Sequence, residues 1–394
     1  MRQGTALYLF LAFGIIHTEN ATNAQATAPN PPVLQRCVEY SSAGDLLEAQ
    51  VTRESFELLL TRPNGDRSEL AGSTANVVAS QPVGPVSFRT IPCQLAISDS
   101  SEQAALAFVT DNGLSLELID LKKDSLETHV FVPNEFPIQF SIHPIGYAVS
   151  SDQLQVSQAH YLPTGEPEII TKFVSPDGTV TATHKTLGAP YTEVFGSSFD
   201  FRKSLVWFFC PVYAVRWDRQ PPCNLRSASL NSSASATPTV PPRPGTGHAR
   251  ISGNNPSSLG FPSSNSVVVL GDDNLWAYDL NNRSFRQMRL PETPRHIRWI
   301  ETPGRPKFTT DGHFAAVPVF LFHAPLFEEG QVSHGTKLLI IDMTKLEVLR
   351  TIQPSDDQNV TDFALRDGGQ SLTLVASWGG GWRSFDIPLS STRP

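Results

Sequence analysis

Three histidines, His313, His323 and His334, are the nearest approach in this chain to a metal-ligating cluster. A structural or catalytic zinc takes three or four such ligands, each steadied by further hydrogen bonds. Spaced this widely, the three meet only if loops from separate elements converge; otherwise they are ordinary loop histidines or part of a subunit contact. A second string, Trp378-Gly379-Gly380-Gly381-Trp382-Arg383, places two indoles and a guanidinium around three residues without side-chain bulk. Tryptophan and arginine anchor interfaces once they are desolvated. His323, His334, Trp378, Trp382 and Arg383 therefore form the candidate partner or ligand surface. The competing reading of the glycine string is a wide turn that closes the last sheet, with both tryptophans in the core.

Four aspartates, Asp111, Asp120, Asp279 and Asp342, end or punctuate hydrophobic runs. A carboxylate in such a place accepts backbone N–H bonds and forms turns; two of them meeting on an axis could instead hold a cation. The chain has no Gly-x-Ser-x-Gly elbow, no His-Glu-x-x-His, no phosphate-cradling glycine loop and no calcium loop. No catalytic residue, metal site or cofactor in this chain follows. Cys37, Cys93, Cys210 and Cys223 are an even set in a chain that begins like an exported one. Of the three possible pairings, a local Cys210–Cys223 bridge is the simplest, which leaves Cys37 for Cys93.

The elements that carry these residues repeat. Leu106 to Asp120, Val267 to Asp279 and Lys337 to Arg350 each read as strand, tight polar turn, strand. Val174-Ser175-Pro176-Asp177-Gly178-Thr179-Val180, Phe308-Thr309-Thr310-Asp311-Gly312-His313-Phe314 and Arg366-Asp367-Gly368-Gly369 supply the same punctuation. Short paired strands repeated along a chain without long amphipathic helices predict an all-β fold, a β-propeller of seven blades. Asp45 to Ala49 is the one short stretch that reads as a helical turn. Residues 224–264, rich in Ser, Pro, Thr, Asn and Gly, read as an irregular surface insertion. The expected organisation is a signal peptide over 1–26, a flexible arm over 27–32 and a single propeller over 33–394.

Arg2, an apolar run from Ala6 to Ile16 and Ala24-Gln25-Ala26 have the form of a secretory signal, so a periplasmic location is expected. No later run is long and apolar enough to span a membrane. A net charge of -8 with scattered lysines and arginines argues against a nucleic-acid partner. Asn231-Ser232-Ser233, Asn282-Arg283-Ser284 and Asn359-Val360-Thr361 fit the glycan-acceptor pattern, a coincidence in a bacterial periplasm.

The stretch from Trp299 to Ile352, with its loop His323 to His334 and the strand-turn-strand Lys337 to Ile352, resembles the heavy subunit of periplasmic methylamine or aromatic amine dehydrogenases. Val174 to Val180 and Asp200 to Phe208 are similar to a middle blade of that family. The resemblance implies a seven-bladed scaffold that is not catalytic alone. Its small partner subunit would carry a tryptophan-derived quinone and oxidise primary amines, possibly within a heterotetramer, and a copper protein would accept the electrons. The alternatives are a stand-alone propeller that binds glycan or peptide, with Trp276, Trp299, Trp378 and Trp382 as its aromatic rim, and a metal-dependent propeller hydrolase or lactonase.

Overall fold

Gln103–Thr110 and Ser266–Leu270 are apolar almost throughout, and the computed structural model gives the reason: each is a strand buried on both faces between neighbouring sheets. Outer strands such as Arg67–Ser73 alternate instead between half-buried and exposed positions. The structure describes residues 33–389 apart from 75, 79, 83–87, 91–92, 137–141, 150, 152, 189–193, 195–197, 209–225, 233, 236, 239–257, 264, 271–273, 283, 291–296, 302–305, 324–331, 354–359 and 379–380. The expected signal and arm lie outside these residues, as do Cys210 and Cys223. Residues Val33–Pro394 form one compact unit.

Seven small sheets follow one another along the chain as the blades of a β-propeller. The first is β1 (Gln35–Tyr40), β2 (Leu46–Val51), β3 (Ser55–Thr61) and β4 (Arg67–Ser73). A hairpin, β5 (Ser80–Pro82) with β6 (Phe88–Thr90), leads to the second: β7 (Gln94–Ile97), β8 (Gln103–Thr110), β9 (Gly113–Asp120) and β10 (Ser125–Pro133). The third is β11 (Ile145–Tyr147), β12 (Leu154–Tyr161), β13 (Pro167–Val174) and β14 (Val180–Leu187). The fourth comprises β15 (Phe199–Asp200), β16 (Leu205–Phe208), β17 (Arg226–Ser229) and, beyond β18 (Ala234–Ser235), which pairs in parallel with β14, the short β19 (Thr237–Pro238). The fifth is β20 (Ser258–Ser263), β21 (Ser266–Leu270), β22 (Asn274–Asp279) and β23 (Ser284–Arg289). In the sixth, β24 (Ile297–Glu301) and β25 (Lys307–Phe308) share one side of β26 (Phe314–His323), followed by β27 (Val332–Asp342) and β28 (Glu347–Ile352). The seventh has three strands among the described residues: β29 (Val360–Asp367), β30 (Ser371–Trp378) and β31 (Gly381–Pro388).

Two expectations change. Asp45 to Ala49 is not a helical turn: Leu46–Val51 is β2, bonded on both edges, with alternate side chains buried. The described residues hold no α-helix, only a 3-10 turn at Phe201–Lys203. Nor are residues 224–264 irregular throughout, because β17 and β19 supply the outer part of the fourth blade and β20 opens the fifth. Serine-rich strands such as Arg226–Ser229 carry little hydrophobic signal, yet their backbones still pair. The three Asp-Gly turns form as read; Gly178 and Gly312 take φ of 84° and 72°, which glycine adopts without strain.

The core is divided among seven apolar clusters, one at each junction between successive blades. The first–second junction is built on Phe56, Leu58 and Phe108, whereas the seventh–first junction has Val38, Ala364 and Val375 as its buried members. Leu372 to Ala376 falls in β30, the middle strand of the last blade, and Ser55 to Leu60 falls in β3 of its neighbour.

Candidate functional site

Inner-edge strands of six blades line a cavity of about 340 Å³, the sixth blade contributing β25. Glu39 and Tyr40 come from β1, Leu95 to Ile97 from β7, Ile145 to Tyr147 from β11, Phe199 and Asp200 from β15, Gly260 to Pro262 from β20, and Lys307 and Phe308 from β25. The apolar–Gly–aromatic sequence recurs in β11 as Ile145-Gly146-Tyr147 and in β20 as Leu259-Gly260-Phe261. A Cβ at Gly146 would lie 2.4 Å from the Phe201 ring, and one at Gly260 2.5 Å from the Phe308 ring. Glycine at these positions lets an aromatic ring of the next blade lie across the inner strand. Phe199 and Phe201 stack 5.4 Å apart. The wall is thus aromatic, through Tyr40, Tyr147, Phe199, Phe201, Phe261 and Phe308, and it is studded with charge.

Lys307 is the centre of that charge. Its Nζ donates to Val38 O at 2.8 Å and to Glu39 Oε2 at 3.1 Å, and lies 3.2 Å from Asp362 Oδ1. The Phe363 ring centroid is 5.9 Å away. Asp362 in turn accepts Val38 N–H at 2.9 Å. The unpaired inner edge of β1 thereby has both backbone groups of Val38 satisfied by side chains of other blades. Two carboxylates do meet beside the axis and hold a cation, but they are Glu39 and Asp362, and the cation is a lysine ammonium.

Bonds between blades also link the loops that follow the inner strands, one of them reaching from the fourth blade past the third to the second. Ser42 Oγ donates to Asp99 O at 3.0 Å, Arg202 pairs with Asp99 Oδ2 at 3.2 Å, and Val149 N–H donates to Arg202 O at 3.3 Å. Asp200 is buried, and burial pushes its carboxyl above the usual range, against the pull of Lys203 at 3.5 Å. Burial likewise raises the Tyr40 phenol to about 12, with Arg366 opposing.

The residues singled out from sequence lie elsewhere. Asp120, Asp279 and Asp342 each end the third strand of a blade, and each Oδ1 accepts two backbone N–H bonds at 2.8–3.1 Å. These bonds, with the Lys123 side chain first, hold Asp120 at about 2, and Asn282 holds Asp279 low. Asp342 is also held low: burial pushes it up, but bonds from Thr344 and Lys345 outweigh that. They are turn formers. Asp111 sits in the tight turn between β8 and β9.

His313 and His323 flank opposite ends of β26, roughly 30 Å apart at strand rise, so the three histidines do not converge. His313 is exposed and pairs with Asp311 at 3.0 Å. His323 and His334 share one end of the β26–β27 hairpin; their side chains lie outside the described residues. No group of three His, Cys, Asp or Glu among the described residues is placed to hold a metal ion.

Trp378 is 1% exposed and meets Phe385 edge-on in the sixth–seventh cluster, so it belongs to the core and not to a surface. Trp382 is half-buried in the seventh–first cluster, on the other face of the same sheet. The hairpin brings Trp378 opposite Gly381, and two large rings on one sheet leave its faces for neighbouring blades. Arg383 is exposed. Trp276 is also buried, which removes it from the expected aromatic rim, and the Trp299 side chain lies outside the described residues. Tyrosines and phenylalanines of the inner strands supply the aromatic wall instead. Sequence reading missed Glu39, Lys307 and Asp362, because they lie in three different strands and no local spacing links them. The recurring apolar–Gly–aromatic triplet was the available signal for the cavity.

Cys37 and Cys93 form a disulfide between β1 and the start of β7, with Cα atoms 5.6 Å apart. No helix among the described residues is long and apolar enough to cross a membrane.

No protein-family model and no curated protein matches this chain. Among solved structures it is similar to Kluyvelomyces marxianus Hsv2, with a TM-score of 0.50 and 12% identity over 92% of this chain and 94% of that one. Kuenenia stuttgartiensis hydrazine synthase gives 0.48 and 8% over 92% and 98%. The Pyrococcus horikoshii acylaminoacyl peptidase gives 0.47 and 10% over 89% of this chain and 52% of that chain, so this chain spans about half its length. The likeness extends to the fold alone.

Proposed function

We propose that this seven-bladed propeller is a binding scaffold, acting by holding a ligand or partner at its axial face. The aromatic, charge-studded cavity of about 340 Å³ carries this reading. Preformed concave sites with a few convergent polar groups on an apolar wall are suited to binding. Its principal cation, Lys307, is engaged by Glu39, Asp362 and Val38, which suits a fixed recognition surface.

Within that class, the assembly to test first is the one implied by the resemblance of Trp299 to Ile352: the heavy subunit of a periplasmic amine dehydrogenase. This chain would position a small quinone-bearing subunit that deaminates primary amines and passes electrons to a copper protein. His323, His334 and Arg383 remain its candidate contacts. The test is affinity purification of the full chain from its own periplasm, followed by quinone staining and mass spectrometry. Recovery of a small, quinone-positive chain in stoichiometric amount supports the subunit role. A monomer with no such chain, at concentrations where the assembly would persist, removes it and leaves the stand-alone binder. The aromatic wall of the cavity favours that second reading, with glycan or peptide as ligand. Arrays of both, probed with the intact chain and a Phe201→Ala variant, would reveal it.

A further inference from the structure

The seventh–first junction is closed differently from the others. As at most junctions among the described residues, no backbone ladder crosses between the first and seventh blades; what differs is the side-chain chemistry that joins them. Their apolar cluster has three buried members, Val38, Ala364 and Val375, bordered by half-buried Tyr40, Leu46 and Trp382. Polar contacts concentrate at the same place. Asp362 of the seventh blade accepts Val38 N–H of the first, and Lys307 of the sixth donates to Val38 O and Glu39 of the first while pairing with Asp362. Further along β29, the Arg366 guanidinium lies against Gly44, whose φ of 92° and lack of a side chain permit the approach.

We propose that Lys307 is a ring clasp, joining the first, sixth and seventh blades, and that its release opens the propeller at the seventh–first seam before any other junction yields. The Lys307 side chain is 13% exposed, with Asp362 at 20% and Glu39 at 27%. Removing the ammonium leaves two carboxylates facing each other and Val38 O without its donor, so the seam loses the bonds Lys307 makes and gains repulsion in one step, with only the Val38 N–H to Asp362 bond left. The first–second junction on the other side of β1 keeps its disulfide and its larger cluster, so opening is directed to one side. Glu39, Tyr40 and Lys307 all line the axial cavity, so the same event opens the cavity wall.

Hydrogen exchange on the full chain, read peptide by peptide, tests this. Lys307→Met should raise exchange in β1 and β29 roughly tenfold or more while β21 to β23 of the fifth blade stay near wild type. Lys307→Arg, which keeps the charge and several donors, should restore most of the protection. An equal rise in every blade, no rise, or a rise centred on another junction overturns the clasp. Should Lys307→Met fail to fold, Asp362→Asn serves on the same readout. It keeps an oxygen for Val38 N–H but removes the charge facing Lys307, and should give a smaller rise confined to the same strands. A uniform or absent rise in that variant is equally fatal.

Discussion

Strand β1 has a neighbour on each side, and the two junctions are held by different chemistry. Toward the second blade there is a covalent Cys37–Cys93 link, a cluster built on Phe56, Leu58 and Phe108, and Arg62, which donates to Leu121 O and pairs with Asp45 and Asp124. Toward the seventh blade there is a small apolar cluster and a lysine between two carboxylates. A junction that has a covalent link and a large apolar cluster besides its ion pairs tolerates the loss of one charge, whereas a small cluster centred on one lysine depends on every partner being present. A ring made this way is strong on one side of its first strand and conditional on the other.

The largest expected effect breaks the stronger side. Replacing Cys37 and Cys93 by serine frees a loop spanning a sequence separation of 56. Loop-closure entropy puts the loss at about 4 kcal/mol, measurable as a fall in urea midpoint that reductant reproduces in the wild type. Next, Lys307→Met should cost about 3 kcal/mol, toward the lower end for removing one partner of a buried pair because the site is partly open. A midpoint within error of wild type would show that the seam is apolar after all. Gly146→Ala sharpens the comparison at a junction of neither kind. Its Cβ would press into the Phe201 ring, and a cost of about 2 kcal/mol is expected from overpacking, recoverable in part by Phe201→Leu.

A pH titration separates a further junction. Burial holds the His143 imidazole down at about 4, and its Nε2 lies 2.9 Å from Asn134 Oδ1. The unfolded chain binds this proton near pH 6.5 and the folded chain only near 4, so stability falls as pH drops through that window. His143→Gln should flatten that segment of the stability–pH curve. The smallest effect belongs to Asp120. Its carboxyl is depressed to about 2, so its turn contributes fully above the ordinary carboxylate range and weakens as pH falls from about 4 toward 2. Asp120→Asn keeps the acceptor oxygen and should leave the neutral-pH urea midpoint close to wild type while removing this acid-side slope.

Much of the fold was legible because its signals are local. Strand-turn-strand units around Asp111, Gly178, Gly312 and Asp367 specify their own hairpins, and Asp120, Asp279 and Asp342 cap their own turns within three residues. Polar strands such as Arg226–Ser229 were passed over because backbone pairing, not side-chain burial, holds them. The candidate surface fared differently. Trp378 and Trp382 looked like neighbours on one rim, yet strand geometry sends them to opposite junctions of the seventh blade.

By itself the sequence determined the repeating hairpins, their turn chemistry and the all-β class, since each depends on residues a few positions apart. It also carried the glycines that admit Phe201 and Phe308 across the inner strands. Only the tertiary structure decided which charges meet. Glu39 lies 268 positions from Lys307, Asp362 is a further 55 along, and no spacing rule joins the three. They come together because seven blades turn through a full circle and bring the last inner strand beside the first. Ring closure is a property of the summed geometry of all the blades, and the clasp and the cavity it borders exist only once that circle is complete.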